Sequence, residues 1–134
     1  MGNSKSDFLE LELLDHVLGN AAYAPPGTAF VALYTVAPGD TGGGTEVSGG
    51  GYARVGLVNN ATTWPAASGG AKSNGTAFSF PEATGSQGTV VAFAILDAAA
   101  AGNFLYWGTV TVSKVITTGD TATFAIGDLD VLED

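Results

Sequence analysis

The chain carries one histidine, His16, with Asp15 beside it. A Ser-His-Asp relay needs a serine close in space and an imidazole oriented by the carboxylate. Consecutive helical residues point in different directions, so Asp15 cannot orient His16, and the pair reads as helix surface. Carboxylates are the next candidates. Calcium takes several oxygens from one loop, but Asp128 and Asp130 alternate along a strand-like segment and the EF-hand spacing is missing. Asp40 and Glu46 could form at most a weak ion site, and solvated charge is the reading adopted. Glycoside hydrolysis needs two carboxyls facing each other across a cleft, and the sequence does not pair Glu46, Glu82 or Asp97 in that way. With no cysteine there is no disulfide, thiolate metal site or thiol nucleophile. The expectation is a protein that is not an enzyme and uses no cofactor or metal.

The block Gly39–Gly51, GDTGGGTEVSGGG, is the most distinctive segment. Glycine enters backbone regions other residues avoid, so the block predicts an irregular loop. Loops of this length inside a domain are uncommon and tend to be functional. It is no phosphate cradle: a P-loop needs Gly-Lys-Ser/Thr opening a helix, and residues 39–51 hold no lysine. Of the two tryptophans, Trp107 lies in an apolar strand and is expected in the core. Such residues fill either a sandwich core or an interface, and Trp64, before Pro65 in a polar stretch, is the better interface candidate. Asn60-Ala61-Thr62 and Asn74-Gly75-Thr76 match the glycosylation sequon but carry no weight without a secretion signal.

Four basic residues, Lys5, Arg54, Lys72 and Lys114, stand against a net charge of −9. Nucleic-acid binding relies on Lys and Arg displacing counterions, so neither nucleic acid nor an anionic membrane is an expected partner. Charged residues make up only 13%, well under the usual quarter, which suits either a chain whose surface meets other proteins or a surface of Ser, Thr, Gly and Ala of the kind common in all-β domains. No basic-then-apolar leader opens the sequence and no apolar run reaches membrane-span length. Synthesis in a cytoplasm as a soluble chain is expected.

The elements that would position these residues read as one helix and about seven or eight strands. The helix is predicted over 7–19, capped by Asp7 with Glu10 three residues on. Leu9, Leu13 and Val17, with Leu11, Leu14 and Leu18, predict a broad apolar arc, with Glu12, Asp15 and His16 opposite. Strands are predicted over 28–35, 52–58, 76–80, 89–97, 105–113, 121–126 and 129–132. The fold class is therefore all-β, a jelly-roll-like β-sandwich with one N-terminal helix. One domain spans 1–134, with an arm and helix over 1–27 and the sandwich over 28–134.

Several segments together resemble a family. They are Ser6-Asp7-Phe8-Leu9-Glu10, Ala22-Tyr23-Ala24-Pro25-Pro26, Phe30-Val31-Ala32-Leu33-Tyr34-Thr35 and Gly44 through Arg54, followed by Phe78-Ser79-Phe80-Pro81, Ala94-Ile95-Leu96-Asp97 and Leu105-Tyr106-Trp107-Gly108. The resemblance is to small virion structural proteins of tailed bacteriophages, and Val58-Asn59-Asn60 departs from it. It implies a virion component without catalytic residues. The chain shows no repeat, heptad run or shaft, which favours a capsid decoration (cement) protein. Such a protein would form a homotrimer on the capsid exterior, bind the major capsid protein and stabilise the head. A tail fibre or tail-associated structural protein is the alternative. Candidate interface residues are Phe8, Leu11 and Leu14 on the helix, Glu46, Tyr52 and Arg54 at the glycine loop, and Trp64.

Overall fold

The long apolar segments pair into one antiparallel sheet. In the computed structural model, which describes residues 3–132, the elements run β1 (Asn3–Lys5), α1 (Asp7–Gly19), β2 (Thr28–Val36), β3 (Thr45–Glu46), β4 (Val55–Val58), β5 (Ala71–Ser73), β6 (Phe78–Ser79), β7 (Gly88–Leu96), β8 (Phe104–Ile116), β9 (Thr123–Phe124) and β10 (Asp130–Leu132). The main sheet is six-stranded, in the order β1-β8-β7-β2-β3, with β4 also paired to β2. Two ribbons, β5 with β10 and β6 with β9, form a second layer in place of a second broad sheet. The all-β, sandwich-like class with one N-terminal helix is what forms.

β2 and β7 are the centre. Each is nearly continuously apolar, the signature of a strand covered on both faces. Phe30 to Tyr34 pair with Leu96 to Ala92 in register. Strand alternation then sorts the side chains. Val31, Leu33, Phe93 and Ile95 enter the larger core with Leu57, Trp64, Phe78, Phe80 and Leu129. Ala32, Tyr34, Ala92, Ala94 and Leu96 form a thinner cluster with Phe104 and Trp107 against it. In the larger core Phe78 stacks on Phe124 at 4.9 Å between centroids, and Tyr52 on Phe80 at 6.1 Å. Such pairs contribute about 0.5–1.5 kcal/mol each beyond area burial. The first pair joins the two strands of the β6–β9 ribbon, and the second ties the residue after β6 to the segment before β4.

Asn74 organises the ribbon layer. It is 1% exposed, yet its amide is satisfied. Nδ2 donates to the carbonyls of Thr76 and Ala125, and Oδ1 accepts from the Leu129 amide. Its sequon is therefore an internal strut, with no accessible amide for a glycan.

The helix spans the predicted residues, but Ser6 caps it rather than Asp7. Ser6 has extended backbone and its hydroxyl accepts from the Leu9 amide. The same hydroxyl donates to the Phe104 carbonyl, and the Ser6 amide donates to the Leu105 carbonyl. These bonds lock the cap to β8, an advantage Asp7 one residue later could not supply. The predicted broad arc also splits in two. Leu9 is the one buried helix residue, while Leu11, Leu14, Val17 and Leu18 are exposed. Strands β1, β3 and β5 have no alternating apolar signature, and the sequence pattern did not predict them.

Two substitutions test this packing. Asn74→Ala leaves the Thr76 carbonyl and the Leu129 amide without their partner, while the Ala125 carbonyl keeps its bond from the Asp128 amide, and is expected to cost about 3 kcal/mol in denaturant unfolding. Gly44 sits at φ +69°, and an added Cβ would lie 2.5 Å from the Val36 carbonyl oxygen. Gly43, at φ +76°, faces open space. Gly44→Ala is therefore expected to cost roughly 3 kcal/mol or more and Gly43→Ala about 1–2 kcal/mol. Equal costs would show that the clash is absent.

Candidate functional site

The glycine block folds back on the sheet instead of projecting. Gly42, Gly43 and Gly44, and again Gly49, Gly50 and Gly51, all have positive φ. The first triplet turns the chain back from β2 into β3, and the second lies between β3 and β4, which both run antiparallel to β2. Between them Thr45 and Glu46 pair with Val36 and Tyr34 of β2, and Val47 is buried in the larger core. The Gly50 carbonyl accepts from the Thr84 amide and from the Gln87 side chain. A loop built to reach outward and order on contact is thus replaced by a tied one.

What ties it is a clamp of three residues. β2 pairs with β4 through Val31 and with β3 from Tyr34 onward, so Leu33 falls in a gap. The Tyr52 hydroxyl fills it, accepting from the Leu33 amide at 3.0 Å and donating to Glu46 Oε2 at 2.7 Å. Arg54 grips the same carboxylate in bidentate fashion, Nε to Oε2 and Nη2 to Oε1, both 2.8 Å. Its Nη1 donates to the carbonyls of Ala98 and Ala101, 2.9 Å each. One guanidinium therefore joins β3, the approach to β4 and the β7–β8 turn. Planar, five-donor geometry makes arginine suited to this and lysine not.

The electrostatics follow. Burial pushes the Glu46 carboxyl up, but hydrogen bonds from Arg54 and Tyr52, with the Arg54 charge, outweigh it and hold the group below its ordinary range. Burial and the bond to Glu46 push the Tyr52 phenol well above its ordinary value. Tyr34, beside the clamp, is also raised, first by burial and then by the Glu46 charge.

Other carboxylates are committed to turns. Asp97 accepts from the Asn103 amide and side chain, Asp120 from the amide and hydroxyl of Thr117, and Asp128 from the Ala125 amide. The Asp120 carboxyl lies below its ordinary value because of the Thr117 amide and hydroxyl. Asp40 receives the Trp107 indole N–H at 3.0 Å. His16 Nδ1 bonds the Ala21 carbonyl at the end of the helix. Among the described residues no group of three or more His, Cys, Asp or Glu is placed to hold a metal.

The predicted site residues therefore separate. Glu46, Tyr52 and Arg54 come together, but on one another. Trp64 is 7% exposed and lies in the core, because the Asn60 side chain caps the turn that folds it inward, accepting from the amides of Thr62 and Thr63. Trp107, expected in the core, instead reaches Asp40 at the rim of the thin face. Phe8 is half-buried, while Leu11 and Leu14 face outward. Val17 and Leu18, placed in the apolar arc but not among the interface candidates, are more exposed still. The i, i+3, i+7 spacing of Leu11, Leu14 and Leu18 is the signal that groups the last of them with the first two.

The clamp has a pH signature. The Glu46 carboxyl has a folded value below its ordinary 4.5, so its stabilisation is present above that value and is lost as pH falls through the folded value. Glu46→Gln is expected to remove this part of the acid limb in a plot of unfolding free energy against pH. Arg54→Ala, which strands a half-buried carboxylate, is expected to cost about 2–4 kcal/mol at neutral pH. Arg54→Lys is expected to recover less than half of that, since one ammonium cannot serve two carboxylate oxygens and two carbonyls.

Comparison with known proteins gives one family and no curated relative: no curated protein matches the chain. The family model described as "Podophage GP4 fiber I protein gp80" matches residues 4–132, which include the helix, the clamp and every strand from β2 to β10. The chain belongs to this family of small phage virion structural proteins.

Proposed function

We propose that the chain is a non-enzymatic attachment protein of the phage fibre apparatus, acting by the area it presses against neighbouring virion proteins. The observation that carries this reading is how the side chains are used. The carboxylates best suited to chemistry, Glu46, Asp97, Asp120 and Asp128, hold structure together. Large apolar side chains stand exposed on the helix and on β8, where Val112 and Val115 face solvent. Clustered exposed apolar groups mark contact surfaces. The family's description as a fibre protein supports the placement.

Capsid decoration is the second reading. It is favoured by the absence of a repeated shaft or long coiled coil among the described elements. In that reading the chain forms a homotrimer on the shell exterior and binds the major capsid protein. Multivalent contact would raise the trimer's effective affinity for the lattice.

Stoichiometry separates the two. Copies per purified particle, measured by quantitative gel densitometry against the major capsid protein, are expected to match a tail component. A ratio approaching one copy per one or a few capsid subunits would replace the fibre reading with the decoration reading. Absence of the chain from purified particles would end both.

A further inference from the structure

We propose that the outer stripe of α1 is a docking ridge for another virion protein, one that offers an apolar groove rimmed by lysine or arginine. The inference rests on the reading that the chain acts by contact within the particle, and it names the kind of partner. Leu11, Leu14 and Leu18 follow i, i+3, i+7 spacing and form one line on the helix. They are 63%, 55% and 82% exposed, and Val17 beside them is 73% exposed. The line lies opposite Leu9, the residue that fixes the helix to the body. Every residue from 14 to 22 is exposed, so the C-terminal half of the helix stands clear of the sheet. An apolar face kept outward on a well-capped helix is the form in which helices enter grooves on other proteins.

Charge selects the occupant. Asp7, Glu10, Glu12 and Asp15 are all acidic and the helix has no lysine or arginine. At about 100° per residue, Glu10 and Asp15 flank the leucine line on its two sides and Asp7 lies at its N-terminal end. A second copy of this chain fits poorly. Its ridge would bring the same carboxylates against these, and like charges across an interface oppose binding. Its four basic residues lie at Lys5, Arg54, Lys72 and Lys114, all off the helix, and Arg54 is held by Glu46. A net charge of −9 adds general repulsion between copies. A basic-rimmed groove satisfies both the leucines and their flanks.

The test uses particles made in host cells infected with phage lacking the gene and supplied with plasmid-encoded variants. Copies per particle are read by quantitative immunoblot. L11S/L14S/L18S alters exposed side chains, and serine's lower helix propensity is expected to lower its thermal midpoint by only a few degrees, while its incorporation is expected to fall at least ten-fold. E10Q/D15N is expected to fall several-fold, and E10K/D15K further. Wild-type incorporation of the serine variant with normal folding would overturn the ridge while leaving the virion reading intact. Absence of wild-type protein from particles would instead remove the virion reading itself. Unchanged or increased incorporation of E10K/D15K would overturn the basic rim. Sedimentation of the purified chain closes the remaining route: an oligomer abolished by L11S/L14S/L18S would assign the ridge to self-contact and overturn the proposal.

Discussion

The contact on which most of the architecture depends is the grip of Arg54 on Glu46. A sheet strand that changes partners midway leaves a backbone amide without a ladder bond, and an unpaired buried amide is costly. Here the change occurs on β2, between β4 and β3, and Tyr52 fills the gap at Leu33. Tyr52 donates its hydroxyl proton to Glu46, and Arg54 holds that carboxylate in place. The same arginine satisfies the carbonyls of a turn that contains Ala101 at φ +52° and Gly102 at φ +82°. Thus one charge pair supports a strand switch, a glycine-rich loop and a strained reversal in different parts of the chain.

This arrangement explains the unusual block between residues 39 and 51. Its glycines serve geometry more than mobility. At Gly44 and Gly50 the backbone of other segments passes so close that a methyl group would collide with it, at 2.5 Å from the Val36 oxygen and 2.8 Å from the Gly85 oxygen. The two triplets act as a pair of corners that deliver Glu46 to the clamp and Val47 to the core.

Much of the fold was legible, and the boundaries of failure are physical. The helix over 7–19 and the central strands β2, β7 and β8 carry strong periodic or continuous apolar signals, and these segments form where the pattern places them. β3 has two residues and β5 three, too short to carry a period. The two tryptophans show the limit of local context. Trp64 sits among polar residues, but the Asn60 turn folds it inward. Trp107 sits among apolar residues, but strand alternation sends it to the thin face. The clamp was half visible. Glu46, Tyr52 and Arg54 are all visible as candidates, yet a spacing of six and two residues does not say that the side chains before β4 bond the carboxylate on β3. The outward leucines were counted as one face with Leu9, because the sequence does not show which side of a helix the sheet takes.

The way α1 is spliced into the sheet has a mechanical consequence. The chain enters the helix from β1, at one border of the sheet, and leaves it for β2, with β8 and β7 lying between them. Thirteen helical residues reach about 20 Å, comparable with the roughly 14 Å covered by three strand spacings. A pull on the helix therefore divides between two strands that are not neighbours, with β8 and β7 between them to share it. A tether hung from a single terminal strand would peel that strand first; this one distributes tension the way a handle fixed at both ends does.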